Sequence, residues 1–258
     1  DRFAALFGNL AIGQNPTPLH HQYLIMKWDF SLVNAQGSLP EIKSALYQHV
    51  NDRVTQFAAR YTARLTQPIV IHPTNAVSSL ESARFAALES GQAIYLLIDE
   101  YDNFANDVLM TGRKPEYYEG LLYGEGALKT IFKTVKAGVG QGIDRVFITG
   151  VSPIVLSDMT SGYNVGEDIY LKAAFNDLCG FTEMEIAALL DQLGAEDGTW
   201  SPTEALDLMR TFYNGYCFSE DGGERLYNPT LSLYFLKALQ TQGRYPLRML
   251  DENLAMDR

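Results

Sequence analysis

The sequence predicts an α/β protein with a mainly parallel sheet, followed by a helical part. Three short apolar segments, 22–31, 93–102 and 144–152, are typical of strands, and stretches with helical spacing separate them. This alternation is typical of parallel sheets that helices cover on both faces. Beyond residue 165 the chain changes to helix start signals, which predict a separate helical subdomain.

The helices of the first part, residues 1–165, follow from the spacing of apolar residues. In the first helix these apolar positions are Leu46, Val50, Val54, Phe57 and Tyr61. The second helix, about 76–89, is predicted to end at Gly91. A third helix, 126–138, is predicted to end at the glycines of GVGQG, because glycine commonly ends a helix.

The second part, residues 166–258, is predicted to be helical with one small hairpin. Thr182 with Glu185, and Ser201 with Glu204, each fit the capping box that starts a helix. The Asn-Gly and Asp-Gly-Gly sequences on either side of YCFS are typical of tight turns and predict the hairpin. The Asn-Pro of LYNPT then starts another helix.

Composition limits the class of protein. With 258 residues, 47% of them hydrophobic, the chain can bury a large core. No apolar run reaches the roughly 18 to 20 residues that a membrane-spanning helix needs, so we expect no membrane association. The two cysteines, Cys179 and Cys217, are too few for a disulfide framework and fit a reducing cytoplasm.

Charge is distributed unevenly along the chain. Residues 1–165 carry 15 acidic and 13 basic residues, whereas residues 166–258 carry 16 and 7, a net charge of −9. We place a domain boundary near residue 165 for this reason. The total charge of −11 argues against strong nucleic-acid binding, because so acidic a surface repels the phosphate backbone.

Three carboxylates, Asp99, Glu100 and Asp102, follow an apolar strand. Ligands of parallel sheets collect at the carboxyl ends of the strands. Neighbouring strand residues point to opposite faces, so Asp99 can hold Mg²⁺ while Glu100 orients or deprotonates a water. This is the Walker B pattern of ATPases with a catalytic glutamate, and we add Asp102 as a further metal ligand. The alternative is an acidic turn in which Asp102 caps the next segment.

The strand DRVFITGVS ends in polar residues next to the acidic strand. In ATPases with a Walker B strand, the neighbouring strand ends in a sensor for the γ-phosphate, and Thr149 is our candidate, with Ser152 behind it. The alternative is that Thr149 and Gly150 only form a turn after the strand. In the helical part, Arg210 is the candidate for a γ-phosphate contact, with an ordinary surface arginine as the alternative.

The phosphate-binding loop that such ATPases need is missing from these 258 residues. The pattern Gly-x-x-x-x-Gly-Lys-Ser/Thr occurs nowhere. The segment GEGALKT has Leu128 where the second glycine belongs, and it starts a helix with no strand before it. The segment GVGQG follows a helix instead of opening one.

Four segments taken in order carry a resemblance. They are LLIDEYDNF, VFITGVSPIVLSDMTSGYN, FNDLCGFTEMEI and FYNGYCFSEDGGERLYNPTLSLYFL. Over most of residues 23–242 the chain resembles the predicted AAA-ATPase-like family of P-loop ATPases. The resemblance implies ATP and Mg²⁺ as ligands, with Asp99 on Mg²⁺, Glu100 on the catalytic water and Thr149 as sensor. The resemblance places the motifs at 213–216 and 227–229, which we call the Tyr-rich segment, in a helical lid. It implies no chemical role for them.

The resemblance also implies that part of the domain is missing. Family members carry the first strand and the P-loop upstream of the segment that DRFAALFGNLAIG resembles. We therefore expect a P-loop-NTPase-like sheet without its first strand, inactive or nearly so, from a parent protein that hydrolyses Mg-ATP. The exposed sheet edge is expected to be covered by a rearranged strand or by self-association. Family members often carry a PD-(D/E)XK nuclease-like domain, which we expect in the parent.

Two other functions stay open at this point. The first is a non-enzymatic interaction scaffold, in which the acidic helical part docks a basic partner. The second is a Mg²⁺-dependent phosphoesterase or nuclease centre built from the three carboxylates. The segment LLIDEYD supports this centre poorly, because such a site needs a nearby lysine on an adjacent strand and the segment contains none.

Overall fold

A computed structural model describes residues 2–110, 120–121, 126–151, 166–197 and 199–249. The chain divides into two compact units, Asp1–Gly166 and Glu167–Arg258, which we call unit 1 and unit 2. No helix within the described ranges has the length and apolar character that crossing a bilayer requires.

Unit 1 contains a three-stranded parallel sheet in the order β1-β2-β3. This confirms the α/β class. The register places Asp29 opposite Asp99 and Ile98 opposite Ile148. The strands are β1, Tyr23–Asp29; β2, Ala93–Asp99; and β3, Ile143–Ile148.

The three helices predicted for unit 1 are present. The capping box of Ser38 starts the first of them, where the Ser38 N–H donates to Glu41 Oε2 at 2.7 Å. Short 3₁₀ turns follow β1 at Phe30–Leu32 and this helix at Thr62–Arg64. The helices of the unit are α1, Arg2–Phe7; α2, Ala11–Gln14; α3, Leu39–Tyr61; α4, Ala76–Glu89; α5, Asn103–Met110; and α6, Ala127–Gly138.

Within the described ranges one face of the sheet is fully buried and the other is half-buried or exposed, which differs from the expectation of two fully covered faces. Alternate residues of β1 and β2, such as Met26 and Leu96, are buried in one core with apolar residues of α3, α4 and α6. The opposite face is half-buried or exposed, and Phe147 is 38% exposed there. Uniformly apolar strands such as AIYLLI therefore belong to a sheet that these helices cover from one side.

The apolar sequence of β3 favours a buried strand, but the structure leaves it only partly buried. Apart from an isolated bridge between Val139 and Ile143, β3 pairs only with β2 within the described ranges, so it forms an edge of the sheet. Asp144 and Arg145 are accordingly exposed. The described residues contain no rearranged strand along this edge, and covering of the edge by self-association stays a prediction.

The described part of unit 2 contains three helices and a hairpin around a second apolar core. The hairpin is present as predicted, but Asn214 and Gly215, predicted as a turn, lie in its first strand. The capping box of Thr182 is confirmed, since its N–H donates to Glu185 Oε2 at 2.9 Å and its Oγ1 accepts from the Glu185 N–H at 3.2 Å. At the second predicted capping box, Ser201 Oγ accepts from the Glu204 N–H at 3.4 Å. The Glu204 carboxylate accepts from the Tyr245 hydroxyl instead of from the Ser201 N–H. The elements are a 3₁₀ turn at Ala173–Phe175; α7, Glu183–Asp197; α8, Pro202–Tyr213; β4, Asn214–Tyr216; β5, Leu226–Tyr227; and α9, Pro229–Gln242.

Candidate active site

The carboxyl ends of the three parallel strands bring Asp29, Asp99 and Thr149 side by side. Asp29 and Asp99 are register partners at the tips of β1 and β2. Thr149 follows the last residue of β3, and its N–H donates to the Ile98 carbonyl at 2.8 Å. Its hydroxyl donates to Asp99 Oδ1 at 2.5 Å. The structure therefore joins the residue predicted to hold Mg²⁺ to the residue predicted to be the sensor.

The Asp99 carboxylate is ionised and still accessible. The hydrogen bond from Thr149 lowers the pKa of Asp99, and the Lys27 ammonium and the Glu100 backbone N–H lower it further. Lys27 Nζ lies 3.4 Å from Asp99 Oδ2, and the Asp99 side chain is 43% exposed. A charged, accessible carboxylate is available to a cation that enters from solvent.

Sequence reasoning missed Lys27 and Asp29. Both lie on β1, on the same face of the sheet as Asp99. Asp29 accepts from the N–H and the hydroxyl of Ser31, at 3.2 Å and 2.6 Å, and so caps the turn after β1. The sequence did contain a signal for Asp29, because it ends an apolar strand as Asp99 does. Only the strand order shows that the two acids are neighbours.

Glu100 adopts a strained backbone conformation. Its φ of 53° lies in the left-handed region, which costs a residue with a Cβ about 1 kcal/mol or more. Burial raises the pKa of the Glu100 carboxyl, and the negative charges of Asp102, Asp99 and Asp29 raise it further. A carboxylate with a raised pKa is a better proton acceptor near neutral pH, as a general base requires.

Asp102 is only 1% exposed and has a structural role in the loops of this edge. Both of its carboxylate oxygens accept from the Val151 N–H at 3.1 Å, and Asn106 Nδ2 lies 3.4 Å from Oδ2. Its backbone carbonyl accepts from the Asn106 N–H in the first turn of α5. These contacts favour the capping alternative, and metal binding by Asp102 stays a prediction.

Gly150 explains the Thr-Gly sequence after β3. A Cβ at this position would lie 2.4 Å from the Tyr101 ring and 2.5 Å from Asp102 Oδ1. Only a residue without a side chain lets the loop after β3 approach the loop after β2 so closely. Ser152, the other candidate in this segment, lies outside the described residues.

Arg210 lies on α8 in unit 2, in a cluster of polar side chains. Its Nε and Nη2 donate to the two oxygens of Glu183 at 2.9 Å and 2.8 Å, and its Nη1 donates to Asp207 at 2.6 Å. Tyr227 donates its hydroxyl to the same Glu183 carboxylate at 3.1 Å. These bonds support the surface-residue alternative, and a γ-phosphate contact by Arg210 stays a prediction.

The Tyr-rich segment of unit 2 also forms structural bonds. The buried Tyr213 donates its hydroxyl to the Met249 carbonyl at 2.6 Å. Asn228 caps α9 by accepting from the Leu231 N–H at 3.0 Å. These contacts give the segment a role in the core of unit 2.

The side chains at the strand tips fit a magnesium ion that is bound together with a nucleotide. Mg²⁺ takes oxygen ligands and in nucleotide sites is held through one or two carboxylates, waters and substrate phosphates. Asp99 and Thr149 supply a carboxylate and a hydroxyl oxygen at one point. Within the described ranges, no cluster of three or more histidine, cysteine or acidic side chains could hold a metal alone. Phosphate oxygens would therefore complete the ligand set.

The protein-family model described as Predicted AAA-ATPase matches residues 1–160. The chain belongs to this family. The predicted AAA-ATPase match confirms the resemblance inferred from the sequence, although it ends before the GFTE and Tyr-rich segments of unit 2. Membership makes a nucleotide-binding domain the expected class for unit 1.

One curated protein is also similar to this chain. It is described as "Uncharacterized protein in vnfD 5'region", from Azotobacter chroococcum mcd 1, and it is 30% identical over 158 residues. The alignment covers 61% of this chain and 27% of that protein, so the matched part spans about a quarter of the relative's length. No solved structure matches the chain.

Proposed function

We propose that the protein which carries this chain binds Mg-ATP and hydrolyses it to ADP and phosphate at the carboxyl ends of β1, β2 and β3. Membership of the predicted AAA-ATPase family supports the class of reaction. The observation that carries the proposal is the hydrogen bond between Thr149 and Asp99, which joins the tips of two neighbouring strands at the edge where parallel sheets bind ligands.

Each residue has a distinct role in this proposal. Asp99 would hold the magnesium ion, which would neutralise negative charge on the phosphates, and Thr149, hydrogen-bonded to Asp99, would act as the γ-phosphate sensor. Glu100 accepts a proton from the attacking water while the oxygen of that water forms a bond to the γ-phosphorus. The bond between the γ-phosphorus and the β–γ bridging oxygen breaks in the same step. The raised pKa of Glu100 favours this proton transfer.

The 258 residues lack the loop that would bind the β- and γ-phosphates. Backbone amides and a lysine at such a loop contribute much of the affinity for a nucleotide. We therefore expect this chain by itself to hydrolyse ATP at or near background, and the full-length protein to turn it over. The nuclease-like domain expected in the parent stays a prediction.

The test is Glu100→Gln in the full-length protein, with ATP turnover and ATP affinity measured separately. We expect kcat to fall by about 10²- to 10⁴-fold because the proton acceptor is lost, with ATP affinity changed only a few-fold. Glu89→Gln is the matched control, because Glu89 is exposed at the end of α4. An unchanged kcat in Glu100→Gln would show that Glu100 is not the base.

A Mg²⁺-dependent phosphoesterase is a second candidate, because the structure supplies the lysine that LLIDEYD lacks. Lys27 lies on the adjacent strand, 3.4 Å from Asp99. Lys27→Met separates the two candidates. The phosphoesterase should lose cleavage of bis(p-nitrophenyl) phosphate, whereas the ATPase should keep its kcat within a few-fold because Lys27 has no part in the proton transfer.

A further inference from the structure

A groove of about 340 Å³ runs along the outer edge of β1. Residues of β1, the 3₁₀ turn and α3 line it. It is beside the candidate active site, on the flank away from Thr149, because the strand order puts β1 and β3 on opposite sides of β2.

Three cationic side chains, Lys27, Arg53 and Arg60, line the groove together with one acid, Asp29. A second acid, Asp99, does not line the groove but pairs with Lys27 at 3.4 Å. Three positive charges therefore still exceed two negative charges in and beside the groove. Such an excess attracts anions.

The two arginines lack acidic partners within the described ranges. Arg53 donates from Nη1 to Gln56 at 3.1 Å, and Arg60 lies over the ring of Tyr61 at 5.4 Å. Arg53 Nε is buried and has no hydrogen-bond partner in the described part of the chain. Because nearly all buried polar groups in folded proteins are paired, an anionic ligand in the groove would give this N–H an acceptor.

Apart from the polar Gln56, the rest of the lining is apolar. Ile25 is half-buried and Phe57 is only 3% exposed, whereas Leu32 is 63% exposed. An apolar group of a ligand could cover Ile25 and Leu32 while its anionic end reaches the arginines. The groove thus combines charge and apolar surface, as small-molecule sites commonly do.

We propose that this groove binds a small phosphorylated ligand with its phosphate on Arg53 and Arg60 and its apolar part against Ile25 and Leu32. A phosphate monoester carries nearly two negative charges at neutral pH, and the guanidinium fork matches its oxygens. The volume is at the small end of ligand pockets, and the net charge of −11 disfavours nucleic-acid polyanions.

Lys27 connects the groove to the candidate active site. Its ammonium lines the groove and forms the ion pair with Asp99 at 3.4 Å. A phosphate bound in the groove competes with Asp99 for this ammonium. Binding itself requires neither Mg²⁺ nor ATP, so it can succeed or fail independently of the proposed ATPase.

The experiment titrates the 258-residue chain with phenyl phosphate and with inorganic phosphate by isothermal calorimetry, without Mg²⁺ or nucleotide. We expect phenyl phosphate to bind at least about 10-fold more tightly than inorganic phosphate, because only the ester contacts the apolar lining. The double variant Arg53→Gln/Arg60→Gln should lower the affinity for phenyl phosphate by at least about 10-fold, because the charge-assisted hydrogen bonds to the phosphate are lost. Arg53→Lys should have an intermediate effect, since it keeps the charge and removes the fork.

The matched control is Lys43→Gln/Lys237→Gln, which removes the same charge outside the groove. It should leave the affinity within about 2-fold, and circular dichroism should show that all variants are folded. The proposal is overturned if neither phosphate binds, if the arginine variant binds as the wild type does, or if both phosphates bind equally. Binding of a single-stranded oligonucleotide or an acidic peptide without binding of phenyl phosphate also overturns it.

Discussion

In unit 2 the Glu183 carboxylate accepts hydrogen bonds from Arg210 and Tyr227, and Asn228 caps a helix. In unit 1 the Asp99 carboxylate at the sheet edge stays 43% exposed with a lysine at 3.4 Å. Glu100 next to it has a strained φ of 53°. Exposure does not distinguish the two carboxylates, since the Glu183 side chain is 40% exposed, but the described part of unit 2 contains no counterpart of the strained φ at Glu100.

This difference supports the proposal that function lies at the sheet edge of unit 1. Strained backbone is concentrated at ligand-binding sites. Shifted pKa values occur in both units, but in unit 2 those of Glu183 and Tyr227 belong to side chains that are bonded to each other. The comparison can be measured because each unit holds one of the two tryptophans, Trp28 and Trp200. In a Trp200→Phe background, urea unfolding followed by fluorescence reports on unit 1.

The largest expected effect separates Asp102 from Asp99. Asp102→Ala should lower the free energy of unfolding of unit 1 by about 3 kcal/mol, because it removes the hydrogen bonds that the buried Asp102 carboxylate accepts from the Val151 N–H and from Asn106. Asp99→Ala should cost less than about 1 kcal/mol, because its ion pair is exposed. Trp28 fluorescence in urea measures both values. Equal losses would mean that Asp99 is as structural as Asp102.

A smaller loss is expected for Gly150→Ala. Its Cβ would lie 2.4 Å from Tyr101 and 2.5 Å from Asp102, and overpacking of this kind costs about 1 to 3 kcal/mol. Gly223→Ala is the matched change in unit 2, where the nearest atom is 3.5 Å away and the cost should be within about 0.5 kcal/mol. Trp28 fluorescence measures the stability loss of the Gly150 variant, and Trp200 fluorescence measures that of the Gly223 variant. A Gly150→Ala variant as stable as the wild type would contradict the close approach of the two loops.

The strain at Glu100 predicts a difference between two truncations. Glu100→Gly and Glu100→Ala both remove the carboxylate, but only glycine adopts a φ of 53° without a steric cost. We expect the glycine variant to be more stable than the alanine variant by about 1 kcal/mol in urea unfolding. The reverse order would show that the backbone at Glu100 is unstrained.

Arg210→Met tests the corresponding cluster in unit 2. Its ion pairs are exposed, so the loss of stability should be about 0.5 to 1 kcal/mol, followed by Trp200 fluorescence. In the full-length protein, an unchanged KM for ATP would agree with a structural role. A KM raised by about 10-fold or more would support the γ-phosphate contact instead.

The smallest effects are opposite pH dependences of two neighbouring acids. The pKa of Asp99 is lowered, so its contribution to stability is complete above the ordinary aspartate pKa of about 4 and is lost as the pH falls through its folded pKa. The pKa of Glu100 is raised, so its contribution is present below the ordinary glutamate pKa and is lost as the pH rises through the folded one.

Urea unfolding in EDTA between about pH 3 and 7 measures these two slopes. The difference in unfolding free energy between wild type and Asp99→Asn should rise with pH, and the difference between wild type and Glu100→Gln should fall. Slopes of the same sign would contradict the environments of the two carboxylates.

Local sequence signals predicted the elements of both units. The apolar spacing of α3, the end of α4 before Gly91 and the capping box of Thr182 depend on residues within a turn or two of each other, and the structure contains all three. Asp99, Glu100 and Thr149 were found as candidates for the same reason, because strand ends can be recognised locally. Asp29 and Lys27 were missed because their proximity to Asp99 depends on which strand pairs with β2.

The sequence by itself determined the α/β class, the strands of unit 1, the longer helices and the acidic strand end, because periodicity, caps and turns are short-range, but it did not predict α1, α2 or α5. Tertiary structure decided which sheet face is buried, which acid is structural and which cations line the groove. Strand order and register bring residues more than 70 positions apart, such as Lys27 and Asp99, into contact. No local pattern contains that pairing, because its energy arises only when the strands meet.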